Sequence, residues 1–151
     1  ALLAGEVDAV FAGEPLPDGP FDHLTAYVED IVLVTAKSVP LDGPAGSASR
    51  TMLAFEHGCP HRKRLEDWFA ARGAMPERIV ELTSYHAILG CAAVGMGVAL
   101  LPASVLATMP ASDALGVHTL PPGKDSARTL LAWRKGPISP NVEALVSLYA
   151  D

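Results

Sequence analysis

Residues 78–102 read RIVELTSYHAILGCAAVGMGVALLP, and this stretch decides the fold class. Residues 78–82 form a short β-prone run, and Thr83 or Ser84 stands where a helix N-cap is needed. Ile88, Leu89, Ala92 and Ala93 then fall on one helical face. Gly95 and Gly97 turn the chain into a second apolar run over 98–101, closed by Pro102. The stretch therefore predicts strand, capped helix and buried strand. Its apolar portion, 87–101, is interrupted by three glycines and is shorter than the roughly 18 residues of a membrane-spanning helix, so it predicts core rather than a span.

Working outward, the same grammar recurs. Upstream, residues 52–55 predict a strand and 56–60 a turn. Leu65, Trp68 and Phe69 lie at i, i+3 and i+4 and predict a helix with one buried face, ended by Gly73. Trp68 and Phe69 are thus expected in the core, not on a binding platform. Residues 7–11 and 31–35 are short apolar runs that read as buried strands, and 38–49, rich in Gly, Pro and Ser, reads as a loop. Downstream, 102–109 predicts a short helix and 129–133 a strand. Ser139-Pro140 opens a last helix with Val142, Leu145, Val146 and Tyr149 on one face. Alternating strands and helices predict an open α/β fold with a mostly parallel sheet covered on both faces.

Half of the 151 residues are hydrophobic and mean hydropathy is +0.28, enough for a real core and against disorder. The 11 basic and 17 acidic residues give a net charge of -6, which argues against a nucleic-acid surface in this stretch. Residues 1–42 hold eight acids and one base, Lys37, and read as a solvated acidic face. Two cysteines, Cys59 and Cys91, are too few for a disulfide scaffold and suit a reducing compartment. The opening Ala-Leu-Leu-Ala-Gly resembles the last turn of a helix capped by Gly5, so the chain is expected to be a fragment.

In open α/β sheets, ligands collect at the carboxyl ends of strands, where helix starts present unsatisfied N–H groups. Two such turns are evident. One is the run from Glu56 through His57, Gly58, Cys59 and Pro60 to His61; the other is Thr83-Ser84-Tyr85-His86. An anion, a carboxylate for example, is expected near 58–61 and 83–84. His57, Cys59 and His61 are spaced poorly for chelation and no second ligand pair follows, so no metal is expected. A nucleophile elbow, a P-loop and a dinucleotide fingerprint are all missing, so no cofactor and no catalysis are expected. The basic cluster 61–64 is followed by Glu66 and Asp67 and reads as a solvated helix face.

Several pieces taken together resemble a known family. Gly5-Glu6-Val7-Asp8-Ala9-Val10-Phe11 is followed by Glu29-Asp30-Ile31-Val32-Leu33-Val34, then by Phe55, Gly58, Cys59, Arg62, Leu65, Glu66, Trp68 and Phe69 at family spacing. Ser84 and the run Val94-Gly95 to Gly97-Val98-Ala99-Leu100-Leu101-Pro102 complete the pattern. In this order they resemble the effector-binding domain of LysR-type bacterial transcriptional regulators, N-terminally truncated. The resemblance implies a periplasmic-binding-protein-like α/β fold of two subdomains joined by crossover strands. Subdomain II with its crossovers is then expected over 30–134, and an incomplete subdomain I over 1–29 and 136–151.

It also implies a ligand-sensing, cytoplasmic, non-enzymatic domain with a small, anionic effector in the inter-subdomain cleft. Effector contacts carried over by position fall on Ala12, Gly13, Gly58, Cys59, His61, Thr83 and Ser84. The implied partners are the effector, further copies in a dimer or tetramer, and DNA reached only through a helix-turn-helix that this stretch does not contain. With the opening strand and helix of subdomain I outside the match, its remaining apolar surface is expected either to be covered by a second copy or to show disorder and aggregation while subdomain II stays folded. A transporter-type solute-binding protein and a small cysteine-dependent enzyme are the alternatives. An upstream helix-turn-helix would exclude the first, and an ordinary pKa at Cys59 the second.

Overall fold

The computed structural model describes residues 1–41, 50–108 and 112–150. In chain order the elements are β1 (Ala9–Gly13), β2 (Phe21–Ala36), β3 (Thr51–Ala54), α1 (Pro60–Ala71), β4 (Arg78–Glu81), α2 (Tyr85–Ala93), β5 (Ala99–Pro102), α3 (Ala103–Ala107), β6 (Leu115–Thr119), β7 (Ser126–Arg134) and α4 (Pro140–Ser147). A 3-10 turn, Ser112–Ala114, precedes β6. Residues 42–49 of the expected loop and Met109 of the expected short helix lie outside the described residues. The chain divides into two compact units, Ala1–Glu29 with Ser126–Asp151, and Asp30–Asp125.

In the Asp30–Asp125 unit, β3 and β4 pair in parallel from Thr51↔Arg78 to Ala54↔Glu81. On its other side β3 meets the chain at Val98 through a parallel bridge to Met52, closed by Leu53 N to Val98 O and Val98 N to Thr51 O, both 2.9 Å. From there β5 pairs antiparallel with β2, and β2 pairs antiparallel with β6. The run 31–36, apolar except for Thr35, is buried throughout, as a strand covered on both faces must be.

Side-chain alternation sorts the two faces. Leu53, Val32, Val34, Ala99 and Leu101 join Ile88, Leu89 and Ala92 of α2 in one cluster. Their neighbours Met52, Ala54 and Leu100 point the other way, toward α1, where Leu100 and Trp68 line a common hollow. Leu65, Trp68 and Phe69 are the buried residues of α1, as their spacing predicts. The helix stops at Arg72, with Gly73 at φ +66 immediately beyond.

Within the other unit, β1 pairs antiparallel with β7 over its whole length, and β7 lies between β1 and β2. Arg134 on β7 donates to Leu2 O at 2.9 Å and Val7 O at 2.6 Å and pairs with Asp8 at 2.8 Å, fixing the segment ahead of β1. Ser139 caps α4 by accepting from Val142 N at 3.4 Å, and Val142 is its buried anchor. Phe11, Tyr27 and Tyr149 form an aromatic triangle with centroids 5.4 to 6.0 Å apart. The Tyr27 and Tyr149 hydroxyls share a hydrogen bond at 2.5 Å, which holds the Tyr149 phenol above its usual range.

Two expectations change. The sheet is not mostly parallel: among the described pairings, β1–β7, β2–β5 and β2–β6 are antiparallel, while β3–β4 and the Met52–Val98 bridge are parallel. Secondly, the strand foreseen at 31–35 is the inner end of a longer β2 that begins at Phe21, and β6 was not foreseen. Residues 126–134 lie inside the 30–134 expected for subdomain II with its crossovers. By contacts they group with the unit that contains β1, because β7 makes its ladder with β1.

Candidate functional site

The parallel pair β3–β4 ends in two turns at one edge of its sheet. Leu82 N donates to Ala54 O at 2.9 Å, so the chain leaving β4 is tied to the end of β3. Just beyond, the Phe55 and Tyr85 rings meet edge to face at 4.9 Å. The turn after β3 and the turn after β4 are therefore neighbours, although α1 and α2 leave this edge onto opposite faces of the sheet.

Local sequence explains each turn. Gly58 sits at φ +97, a left-handed conformation that costs an L side chain about 1 to 2 kcal/mol, and no atom would obstruct a Cβ there. Its requirement is conformational and keeps backbone exposed at the turn. Cys59 is the N-cap of α1 but makes no side-chain cap bond, and Pro60 supplies no N–H, so the donors of the first turn come from the residues after it. Phe55, Glu56, His57, Gly58 and Cys59 line an open hollow of about 540 Å³. At the second turn Ser84, not Thr83, is the N-cap, its Oγ accepting from Ala87 N at 3.2 Å. Thr83 is exposed beside it.

Arg62 fastens the first turn to the second strand. Its Nη1 donates to Phe55 O at 3.3 Å and to Glu81 Oε1 at 2.5 Å, while Nε donates to Glu66 Oε1 at 3.1 Å. Glu81 foremost, then Glu66, holds the guanidinium above its already high ordinary value. The basic cluster 61–64 is accordingly not all solvated: Lys63 is exposed and pairs with Asp67, but the Arg62 side chain is only 11% exposed. Arg62 lies three residues before Leu65 and seven before Phe69, so the helical period that marked the buried face also marked Arg62.

Gly58, Cys59, Thr83 and Ser84 are thus brought to one sheet edge, with half-buried His61 in the first turn of α1. Ala12 and Gly13 belong to the other unit, at the end of β1, where they pair with Leu130 and Thr129. Cys91 packs against the α2 cluster as a small apolar side chain. Among the described residues no group of three or more His, Cys, Asp or Glu side chains is arranged to hold a metal ion, and no helix is long and apolar enough to cross a membrane.

A family model described as LysR substrate binding domain matches residues 1–151. The HTH-type transcriptional regulator GltR of Bacillus subtilis (strain 168) is 28% identical over 153 residues, which take in 100% of this chain and 52% of that protein. The chain spans about half the length of the curated relatives it matches. Among solved structures, the CcmR regulatory domain of Synechocystis in complex with 2-PG superposes with a TM-score of 0.74 at 20% identity, covering 98% of this chain and 74% of that one. The BenM effector binding domain with its effector benzoate gives 0.64 at 19% identity, covering 99% and 72%. At these identities the structures show a shared fold, the periplasmic-binding-protein-like α/β fold expected from the sequence.

Proposed function

Because this chain belongs to the LysR substrate binding domain family, we propose that it is the ligand-sensing part of a bacterial DNA-binding transcriptional regulator, with a small organic anion as effector. The observation that carries the ligand class is the pairing of two helix starts, at Cys59 and Ser84, on one sheet edge beside an open hollow. Helix N-termini attract anions through unsatisfied N–H groups and the positive end of the dipole. We assign effector contact to Gly58, Cys59, His61, Thr83 and Ser84 in one unit and to Ala12 and Gly13 in the other. Benzoate, a small carboxylate, is the effector held by one of the structurally similar domains. In this reading the domain senses its effector but catalyses no reaction, works in the cytoplasm, and reaches DNA through a helix-turn-helix outside these residues.

Amide chemical shifts recorded while benzoate is added, with uncharged benzamide as control, test the assignment. Benzoate is expected to move the Gly58, Cys59, Thr83 and Ser84 amides and benzamide to leave them in place. Each helix start contributes on the order of 0.3 to 1 kcal/mol at an exposed site, short of the roughly 4 kcal/mol behind a millimolar Kd, so affinity weaker than millimolar is expected from the helix starts alone. Shifts confined to other surfaces, or equal shifts with both compounds, would remove the assignment.

Self-association belongs to the same reading. In the unit containing β1, Phe11 is 48% and Leu148 76% exposed, with Leu3, Val7, Tyr27 and Val28 also open to solvent. Apolar area is worth about 25 cal/mol per Å² when removed from water, which favours covering these side chains with a second copy. Light scattering is expected to show a mass that rises toward a dimer with concentration. A monodisperse monomer with equally slow amide exchange in both units is the contrary result.

A further inference from the structure

Arg62 occupies the first turn of α1, yet its three hydrogen-bonded partners belong to three different pieces of chain: Glu66 on its own helix, the carbonyl of Phe55 ahead of the turn, and Glu81 at the end of β4. Only a planar fork of donors spans such a set, and a lysine ammonium at the same place reaches fewer of them. The same bonds change the charge of the edge. Glu81 is 57% exposed, and Glu56 lies exposed in the adjoining turn, so an arriving anion meets carboxylates as well as helix starts. Pairing with Arg62 offsets Glu81 where that repulsion would act.

We propose that Arg62 is a positioning residue for the effector edge: it holds the β3–α1 turn against the end of β4 and offsets Glu81, without itself contacting the bound molecule. This rests on the assignment of the Gly58–Cys59 and Thr83–Ser84 turns to effector binding. The two cysteines allow the role to be read without any ligand. Cys59 is the N-cap residue of the turn that Arg62 fastens, whereas Cys91 packs against the α2 cluster and reports general loosening.

The experiment alkylates the intact chain with iodoacetamide and follows each thiol by mass spectrometry, in wild type, Arg62→Lys and Glu81→Gln. Glu81→Gln changes a partly exposed partner and guards against a variant that fails to fold. Losing one charge-assisted hydrogen bond in a local opening equilibrium is expected to raise the Cys59 to Cys91 rate ratio by about tenfold in both variants. An unchanged ratio, or both thiols accelerating together, overturns the positioning role. Benzoate titration of wild type and Arg62→Lys is run in parallel. Wild-type binding that weakens in the variant supports both assignments. A raised thiol ratio without benzoate binding to the wild type leaves Arg62 as the fastener of the turn and removes the effector assignment. Wild-type binding with an unchanged ratio does the reverse.

Discussion

Replacing Trp68 by alanine is expected to lower the stability of the Asp30–Asp125 unit by about 3 to 5 kcal/mol, the range for deleting a buried aromatic ring and leaving its cavity. Trp68 is 9% exposed, packs edge to face on Phe69 with centroids 5.0 Å apart, and lies under the Arg72 guanidinium at 4.2 Å. The neighbouring hollow of about 610 Å³, lined also by Leu100, Leu120, Pro121 and the charged Arg64 and Lys124, is open to solvent, so water can enter the vacated space. That places the loss toward the lower end of the range. The chain's other tryptophan, Trp133, lies on β7 in the other unit, so in the variant fluorescence follows that unit while far-ultraviolet dichroism follows both. A lowered denaturant midpoint at unchanged slope is the expected result. A change below about 1 kcal/mol would mean that the ring is not a core residue, whatever its spacing suggests.

What the sequence disclosed, and what it hid, divides along physical lines. Helices were legible because their signals are local: the i, i+3, i+4 spacing of Leu65, Trp68 and Phe69, the Ser84 and Ser139 caps, and Pro140 at a helix start all reappear in the structure, while Pro60, expected in a turn, opens α1. Strand direction was not legible. Residues 31–36 and 98–101 are apolar on both faces because helices or chain cover both, and that coverage is the same for parallel and antiparallel neighbours. A continuous apolar run therefore marks a strand covered on both faces without fixing the direction of its neighbours. The outer half of β2 escaped because it places exposed Tyr27 and Val28 side by side, which blurs the two-residue period. In β6, Leu115 alone is buried and Gly116 sits inside the strand, so no pattern marked it.

The candidate edge divides in the same way. Gly58 and Ser84 were visible as turn and cap residues, and the structure places their turns side by side. The tie between them was invisible, since Arg62 and Glu81 stand 19 residues apart and meet only because β3 and β4 pair in a register that sets Ala54 opposite Glu81. Nothing in the local sequence distinguishes that arginine's partner from any other carboxylate. The helical period gave the one available hint, by aligning Arg62 with Leu65 and Phe69 on the face that turns inward.

Gly97→Ala is the second substitution expected to have a large effect, and its reason differs from that at Gly58. A Cβ at residue 97 would stand 2.5 Å from Thr51 O, 2.9 Å from Leu53 Cγ and 3.1 Å from Leu53 Cδ2. The nearest of these is a backbone atom that already accepts from Val98 N at 2.9 Å, so it cannot swing aside without opening the Met52–Val98 bridge. That bridge is where the β3–β4 pair joins the chain entering β5, so strain at residue 97 acts at the start of β3, the end away from the two turns. Overpacking of this kind costs about 1 to 3 kcal/mol, with the upper end expected where backbone rather than a flexible side chain must yield. Gly90 provides the control: it is exposed within α2, a Cβ there meets nothing within 4 Å, and alanine is expected to gain roughly 0.5 to 1 kcal/mol through helix propensity. Denaturant midpoints of the two variants should therefore move in opposite directions. Equal midpoints for Gly97→Ala and wild type would show that the chain at Val98 does not approach β3 as closely as the Thr51 carbonyl requires.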